Sequence, residues 1–547
     1  MKNSKNVKTE TIVEKEKRCI VESVFVGIIC LLVFISFGYI ALMSFFQTSV
    51  FDPNNYGNEV VLYINDNIAL NIFFTALFVF LIFRARKYFD FFSKVNIRIM
   101  EIALAGFVLI IGVVWVFSVT SVPAADSYNI FEAATKAAQG DYSPFHNGAD
   151  FYNKDFYNGY SYFNFYPFQL GFVLFSELFY RIFGTESSLP IQVFNVICVA
   201  AAYYALARIT ALLFKRKGVE FITILLLAAC VQPVLLCTFV YGNISGMCFA
   251  LWACLFLIKY FQTQKYLNLI PCGLLLVMAT LLKYNNMIYL VAFVLVLIVH
   301  TVKARKWQSV AFALAICIAT VGASNLVIMS YEKRAGVELS SGVSQVLYLD
   351  MGLQESYMAP GWYTRTGLET YMNNNFDKKA AEEQAWRDIS SRMDRFGSNA
   401  DYTLDFFSKK ILSQWNEPTF ESIWISKVKS HEYEVSAIGT AVYDKSLGQF
   451  LELHFNFFMQ VVYILFAIGI YMMFIRKKAN IETILLPLVI LGGFGYHLLF
   501  EGKSQYVLTY IPLLLPFAGY AAFVILTGKY EKLKELAATL NQKQTQK

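Results

Sequence analysis

The sequence predicts an all-α polytopic membrane protein with about twelve transmembrane helices, in a range of roughly 11–13. Of its 547 residues, 57% are hydrophobic and only 16% are charged, and the mean hydropathy is +0.49. A soluble domain carries about 25% charged residues, so this chain cannot cover a water-exposed surface. The composition excludes a soluble globular domain, a disordered chain and a disulfide-rich secreted scaffold.

Twelve apolar runs are long enough, or nearly so, to cross a hydrocarbon core of about 30 Å. The first follows a basic tail and is too long for a cleavable signal peptide, so we expect a retained anchor. The runs are Cys19–Phe46, 67–83, 102–119, 193–214, 221–239, 244–258, 267–282, 287–302, 310–329, 455–475, 484–500 and 506–526.

Basic residues indicate the orientation of these runs, because Lys and Arg concentrate in cytoplasmic loops. With both termini inside, the inner loops and tails receive a basic cluster each, whereas the short outer loops contain almost none, and the outer loop 47–66 has neither Lys nor Arg. The inner clusters are the tail 2–18, Arg84–Arg98, Lys215–Lys217, Lys303–Lys306, Arg476–Lys478 and Lys529–Lys534. The net charge of +7 therefore reflects membrane anchoring and predicts no nucleic-acid partner.

One further apolar segment, Tyr166–Phe183, is predicted to lie flat on the membrane surface. If it crossed the membrane, the Lys215–Lys217 cluster would fall outside and the alternation would fail. Its polar residues recur at helical spacing beside several Phe residues, as in an interfacial amphipathic helix. Pro167 and Gly184 mark its two ends.

The predicted organisation has four parts. Residues 1–330 form an N-terminal transmembrane module with an outer loop at 120–190 that carries the candidate catalytic residues. Residues 331–450 are the most polar stretch and predict a small, mainly helical extracytoplasmic domain. Residues 451–527 form C-terminal transmembrane helices, and 528–547 a cytoplasmic tail. All nine Cys fall in or beside spans, so no outer disulfides are expected.

Asp126 is the candidate catalytic base. It follows a predicted transmembrane helix at the membrane surface, where it could act on a substrate carried by lipid. The alternative is a helix N-cap, because Asp is favoured at that position and a helix-like stretch follows. Glu132, six residues on, is a candidate second acid, with a plain surface role as its alternative.

The order of several short motifs resembles the GT-C glycosyltransferases, which include protein O-mannosyltransferases and lipid A aminoarabinose transferases. As an architecture, the resemblance covers the whole chain. They are Asp126-Ser127-Tyr128 with Gly140 and Pro144 behind it, the flat helix, Tyr241-Gly242-Asn243, Lys283-Tyr284-Asn285-Asn286, and Phe500 to Tyr506.

This resemblance implies an inverting transferase that uses a polyprenyl-phosphate sugar, with Asp126 as the base and an active site facing the extracytoplasmic side. Two departures are evident. Protein O-mannosyltransferases have Asp-Glu where this chain has Asp126-Ser127, and the Tyr-x-Asp common at the second motif has become Tyr241-Gly242-Asn243. A second carboxylate is therefore not assured at either position.

Three cations are candidates for holding the departing lipid phosphate. Lys283 interrupts an apolar stretch near the outer face, where a charge is costly unless it is paired or hydrated; its alternative is snorkelling at a helix end. Lys503 lies in a short outer loop, where its alternative is a local pair with Glu501. Arg365, in the outer domain, is the third candidate.

Other polar and aromatic side chains in these motifs are predicted to contact the donor or acceptor. Interface anchoring and loop packing are the alternatives for the aromatic residues. The candidates are Tyr128, Asn243, Tyr284, Trp415, Glu417, Glu501 and Tyr506.

Absent motifs narrow the function further. The five His residues lack metal-ligand spacing, so no metal site is predicted, although a divalent cation is left open. There is no Walker-type phosphate loop, and no cytoplasmic loop is long enough for a nucleotide-sugar domain. The donor is therefore expected to be lipid-linked, with membrane lipid as a partner and a surface polysaccharide, teichoic acid, glycolipid or protein as the acceptor. A transporter or lipid flippase, and a polysaccharide polymerase or ligase, are the alternatives.

Overall fold

The computed structural model describes residues 19–85, 95–185, 187–429 and 435–545, and it is mostly helical. The N-terminal basic tail, together with Arg86, Lys87 and Lys94, lies outside the described residues. In the N-terminal part the helices are α1 Ile20–Met43, α2 Ile68–Ala85, α3 Ile97–Val119, α4 Asp126–Gln139, α5 Leu170–Phe183 and α6 Leu189–Phe214.

The middle of the chain continues as closely packed helices. These are α7 Lys217–Ala229, α8 Gln232–Leu235, α9 Asn243–Thr263, α10 Leu269–Leu282, α11 Met287–Ala304 and α12 Gln308–Ala335. Among the residues described, nine helices are long and apolar enough to cross a membrane, or ten if the bent pair Lys217–Ala229 and Gln232–Thr238 is one span. Two shorter apolar helices, Ile68–Leu81 and Tyr266–Leu282, accompany them. The exact number of about twelve spans, and the orientation of the termini, stay predictions.

The segment 331–450 is mainly helical, as expected from its composition. It contains α13 Gln345–Gly352, α14 Thr366–Asn373, α15 Lys378–Ser398, α16 Ala400–Trp415, α17 Ser422–Lys429 and α18 Ala437–Asp444. It is joined to the first large outer loop, since the Val343 N–H donates to the Phe165 carbonyl over 2.9 Å. The chain ends with α19 Ser446–Ile475, α20 Ile481–Leu499, the short α21 Ser504–Val507 and α22 Ile511–Thr545.

The first outer loop departs from the all-α prediction. Gln47–Phe51 and Val61–Asn65 form an antiparallel hairpin of two strands, β1 and β2, with Gln47 paired to Asn65 and Phe51 to Val61. The hairpin is supported from the outer domain, because the Val61 N–H donates to the Met358 carbonyl over 2.9 Å. Phe51 contacts the rings of Trp362 and Trp424 at centroid distances of 6.3 and 5.7 Å. Tertiary packing of a short, aromatic-containing loop therefore decides its structure.

The segment predicted to lie flat forms helix α5, preceded by a 3₁₀ turn at Pro167–Gln169, and its position at the membrane surface stays a prediction. Its 14 residues span about 21 Å at 1.5 Å per residue, less than the hydrocarbon core of about 30 Å. Its charged face is held within the protein, since Glu177 pairs with Arg181 and Arg334, each at 2.8 Å. This short helix places Gln169 beneath the outer loops.

Candidate active site

Two adjoining cavities lie among the outer loops at one end of the helix bundle. The larger has a volume of about 460 Å³ and the smaller about 90 Å³. Residues from four distant parts of the chain line both cavities, so the cavities meet there: Asp126, Tyr166, Tyr241, Tyr363, Glu501 and Tyr506. Asp126, Glu501 and Tyr506 were candidates from the sequence.

Asp126 is the first residue of α4 and not its N-cap. The N-cap is Ala125, whose side chain makes no capping bond and whose backbone has φ +49°, an uncommon conformation for a residue with a Cβ. Such strain at a cavity wall is typical of functional sites. Asp126 therefore does not have the N-cap role that was its alternative.

Tyr241 joins the acid to the cation of the site. Its hydroxyl donates to Asp126 Oδ2 over 2.9 Å and accepts from Gln169 Nε2 over 2.7 Å. Lys283 Nζ lies 3.7 Å from the centroid of the Tyr241 ring and 5.3 Å from that of Tyr506. Burial raises the pKa of Tyr241 well above its usual value, so the phenol keeps its proton and remains a donor to Asp126.

Close packing explains the motifs Tyr241-Gly242-Asn243 and Lys283-Tyr284-Asn285-Asn286. Gly242 has φ +77°, and a Cβ at this position would overlap the Leu282 carbonyl. One turn later, a Cβ on Gly246 would overlap the Asn286 side chain and lie 3.2 Å from Lys283 Cβ. Asn286 in turn donates to the Ala279 carbonyl over 2.8 Å. The glycines therefore let the turn that carries Lys283 approach the segment that carries Tyr241.

Glu501 provides the second carboxylate of the site. Burial raises its pKa to about 7, while the charges of Lys503, Lys283 and Lys410 oppose that shift. Its loop is fixed from the outer domain, because the Glu501 N–H donates to the Tyr348 carbonyl and Lys410 Nζ donates to the Phe500 carbonyl, each over 3.0 Å. A carboxyl group that titrates near neutral pH, beside Asp126, is suited to orienting a hydroxyl group.

The predicted second acid, Glu132, is elsewhere. Its carboxylate lies 3.2 Å from Lys136 Nζ and accepts the Tyr152 N–H over 3.0 Å, and it lines neither cavity. The helical period explains the difference, since a residue six positions after Asp126 points about 120° away from it around the helix, a third of a turn. Glu132 is therefore engaged in contacts away from the two cavities, and its side chain is only 15% exposed.

Lys503 does not form the local pair with Glu501 that the sequence suggested. Its ammonium group forms an ion pair with Glu59 of the β-hairpin loop, and both residues line the larger cavity. Arg365 lies outside both cavity linings, 3.3 Å from Glu369 and over the ring of Phe156. Lys283 is thus the cation of the smaller cavity.

Two residues that were predicted to contact the donor or acceptor lie in the protein interior. Trp415 is buried against Phe37, with ring centroids 5.2 Å apart, and lines neither cavity. Glu417 is buried and accepts the N–H groups of Thr419 and Glu421 over 2.8 and 2.7 Å. Burial raises its pKa to about 7. Neither residue lines either cavity, and loop packing, the alternative, accounts for the contacts of both.

The remaining predicted residues divide between the cavities and their surroundings. Tyr284 and Tyr506 line the smaller cavity, where the Tyr284 ring lies 5.3 Å from that of Phe168. Asn243 is buried and donates to the Gln505 carbonyl over 3.4 Å, so it fixes the last loop. Tyr128 lies outside the cavity linings and packs on Tyr152, with ring centroids 4.3 Å apart.

Aromatic side chains dominate the wall of the larger cavity. The outer loop 120–190 and the outer domain both contribute them, and they include Tyr152, Phe156, Tyr157, Tyr357, Tyr363 and Trp424. Tyr, Trp and Phe offer flat apolar faces, and Tyr and Trp add a hydrogen-bonding group, a combination suited to a polar ring such as a sugar. Over the ranges that the structure describes, no group of three His, Cys, Asp or Glu side chains could hold a metal ion.

The Glu59–Lys503 pair is expected to stabilise the cavity wall. Glu59→Gln should lower the Tm of the detergent-solubilised protein by about 3 °C, because an unpaired Lys would be left largely buried. Adding Lys503→Met should recover part of that loss, since the buried ammonium group is then removed together with its Glu59 partner. Glu383→Gln, an exposed change on α15, is the control. Equal Tm values for Glu59→Gln and this control would contradict a stabilising pair.

Comparison with known proteins places the chain among membrane proteins. Residues 17–523 match the family model described as "Conserved hypothetical integral membrane protein". The chain belongs to this family. With its nine apolar helices of spanning length in the described ranges, this integral membrane protein is multi-pass.

No curated protein matches the sequence of this integral membrane protein. Among solved structures, the structure of ArnT from Cupriavidus metallidurans bound to undecaprenyl phosphate is similar to the structure of this protein. The sequences are 13% identical, the match covers 78% of this chain and 77% of ArnT, and the TM-score is 0.32. The functional argument therefore depends on the cavity residues themselves.

Proposed function

We propose that this integral membrane protein is an inverting glycosyltransferase that moves a monosaccharide from a polyprenyl-phosphate donor to an extracytoplasmic acceptor. The observation that carries the proposal is the contact of Tyr241 with both Asp126 and Lys283 at the junction of the two cavities. A base for the acceptor and a cation for the leaving group are the two charges that such a transfer needs.

The two cavities suit different parts of the reaction. Lys283 and Tyr284 line only the smaller cavity, next to the apolar helices α10 and α11, so the donor phosphate would bind there. Tyr152 and Tyr157 line only the larger, more aromatic cavity, which suits the acceptor. The sugar would then lie between them, beside the residues that both cavities share.

The transfer itself follows from this placement. Asp126 takes the proton of an acceptor hydroxyl group, and the oxygen attacks the anomeric carbon of the sugar. The bond between that carbon and the phosphate oxygen breaks, the electron pair stays on the phosphate, and Lys283 neutralises the added charge. Glu501 orients the acceptor from the opposite wall. Attack on the face away from the phosphate inverts the anomeric configuration.

The test uses the purified protein in liposomes with a panel of radiolabelled polyprenyl-phosphate sugars and envelope extract as the acceptor source. We expect the label of one donor to move from the lipid to another product, and Asp126→Asn to prevent this. A transporter or flippase would instead move labelled lipid between leaflets without breaking the sugar–phosphate bond. Leaflet movement without any label transfer, for every donor in the panel, would overturn the proposal.

A further inference from the structure

A third cavity lies at the other end of the helix bundle. It has a volume of about 100 Å³ and is lined by residues from the ends of α6 and α19, the start of α20 and the middle of α22. The 19 residues of α20 separate it from the Glu501 loop by about 28 Å. This distance matches the thickness of a hydrocarbon core, so the cavity and the candidate active site lie at opposite faces of the membrane.

Three cations form the rim of this cavity. Arg216 precedes α7, Arg476 ends α19, and Lys478 lies in the turn before α20. All three side chains are exposed, and no carboxylate lines the cavity within the described ranges. The nearby Glu482 is engaged elsewhere, since it accepts from Gln262 Nε2 over 2.9 Å. The rim is therefore a concentrated positive site.

The floor of the cavity is apolar. Tyr520 is buried there and stacks on Phe214, with ring centroids 5.0 Å apart and planes 15° from parallel. Lys478 Nζ is 5.9 Å from the Tyr520 centroid. Other hydrophobic lining residues are Leu213, Met473, Phe523 and Val524. Cations above an apolar floor at the membrane surface match the amphipathic structure of a phospholipid.

We propose that this cavity binds the phosphate of an anionic phospholipid headgroup at the membrane face opposite the active site. Arg216 and Arg476 can offer paired N–H donors to phosphate oxygens, and Lys478 adds a point charge. The acyl chains then follow the apolar floor into the bilayer. Basic cavities between the cytoplasmic ends of membrane helices commonly hold such headgroups. The basic rim places this face in the cytoplasm.

A soluble phosphate ion offers the same oxygen acceptors as a lipid headgroup, so the test separates these two sources of phosphate. Native mass spectrometry of the detergent-solubilised full chain would measure retention of phosphatidylglycerol, phosphatidylcholine and inorganic phosphate at equal concentrations. We expect selective retention of phosphatidylglycerol. Equal retention of phosphatidylcholine would overturn the proposal, and so would displacement of phosphatidylglycerol by equimolar inorganic phosphate. Neither comparison needs a variant.

A double variant tests whether the lipid binds at this cavity. Arg476→Gln with Lys478→Gln should weaken phosphatidylglycerol binding about 30-fold, because each cation near the membrane surface contributes to headgroup attraction. Lys265→Gln is the matched control, since this exposed residue follows α9, outside the cavity lining. Both side chains changed in the double variant are exposed, so we expect it to fold. Equal binding by the double variant and the control would overturn the assignment.

Discussion

Replacing Asp126 with asparagine is expected to reduce sugar transfer by about 1000-fold while the protein stays folded, because general-base catalysis contributes roughly 100- to 10,000-fold. Asparagine keeps the size of the side chain, and its carbonyl oxygen can still accept from the Tyr241 hydroxyl, as Asp126 does over 2.9 Å. It cannot take a proton from the acceptor. The measurement is label transfer from the donor found in the panel, together with the Tm.

The matched control is Asp150→Asn in the same outer loop. Asp150 is exposed and pairs with Lys154 at 2.7 Å, so it has the same chemistry away from the cavities. We expect this variant to keep wild-type activity. Asp126→Asn activity within a few-fold of wild type would contradict the base assignment, and an equal loss in both variants would indicate a nonspecific effect of charge in the loop.

Lys283→Gln is expected to weaken binding of polyprenyl phosphate about 100-fold, because a hydrogen bond to a charged group contributes about 1.5–3 kcal/mol. Lys283 lines the smaller cavity, and its described contacts there are with the aromatic faces of Tyr241 and Tyr506. A lipid phosphate would add the oxygen partners that such a cation favours. The measurement is the Kd for decaprenyl phosphate without a sugar, which isolates the leaving group from the chemistry.

A second lysine provides the comparison for this experiment. Lys259 on α9 is also half-buried over an aromatic ring, with Nζ 4.9 Å from the centroid of Phe256, but it lines neither active-site cavity. Lys259→Gln should leave the Kd unchanged, and Lys283→Arg should recover part of the affinity because it restores the charge. An unchanged Kd in Lys283→Gln would return Lys283 to a snorkelling role.

The sequence predicted those site residues whose positions break a strong local pattern. Asp126 and Lys283 are charges at the ends of apolar runs, and a polar group there is costly without a function. Tyr506 likewise lies at an end, just before the last long helix. The helix within Tyr166–Phe183 was predicted from the same local properties, and its position at the membrane surface, which preserves the alternation of basic loops, stays a prediction. Hydropathy and charge are local properties that a linear sequence displays.

Contacts between distant loops were not predictable in this way. Glu59 lies in a turn of the β-hairpin, and nothing in its surroundings indicates Lys503 as its partner. Trp415 and Glu417 form a polar-looking cluster, but the fold buries them against the helix bundle. A local pair with Glu501 was the alternative role of Lys503, whereas extended backbone at Phe500 and Lys503 directs the two side chains to different surroundings. Tertiary packing decided all of these positions.

The Glu59–Lys503 pair also constrains how the protein is made. Its two residues are 444 positions apart, so at a synthesis rate of about 5–20 residues per second the ribosome needs roughly 20–90 s to supply the second charge after the first. During this interval the hairpin exists without its partner, and the larger cavity lacks the part of its wall that the Glu501–Tyr506 segment supplies. A nascent or C-terminally truncated chain would therefore hold Asp126 in an incomplete pocket. On the proposed function, transfer activity then appears only when the last helices have joined the first.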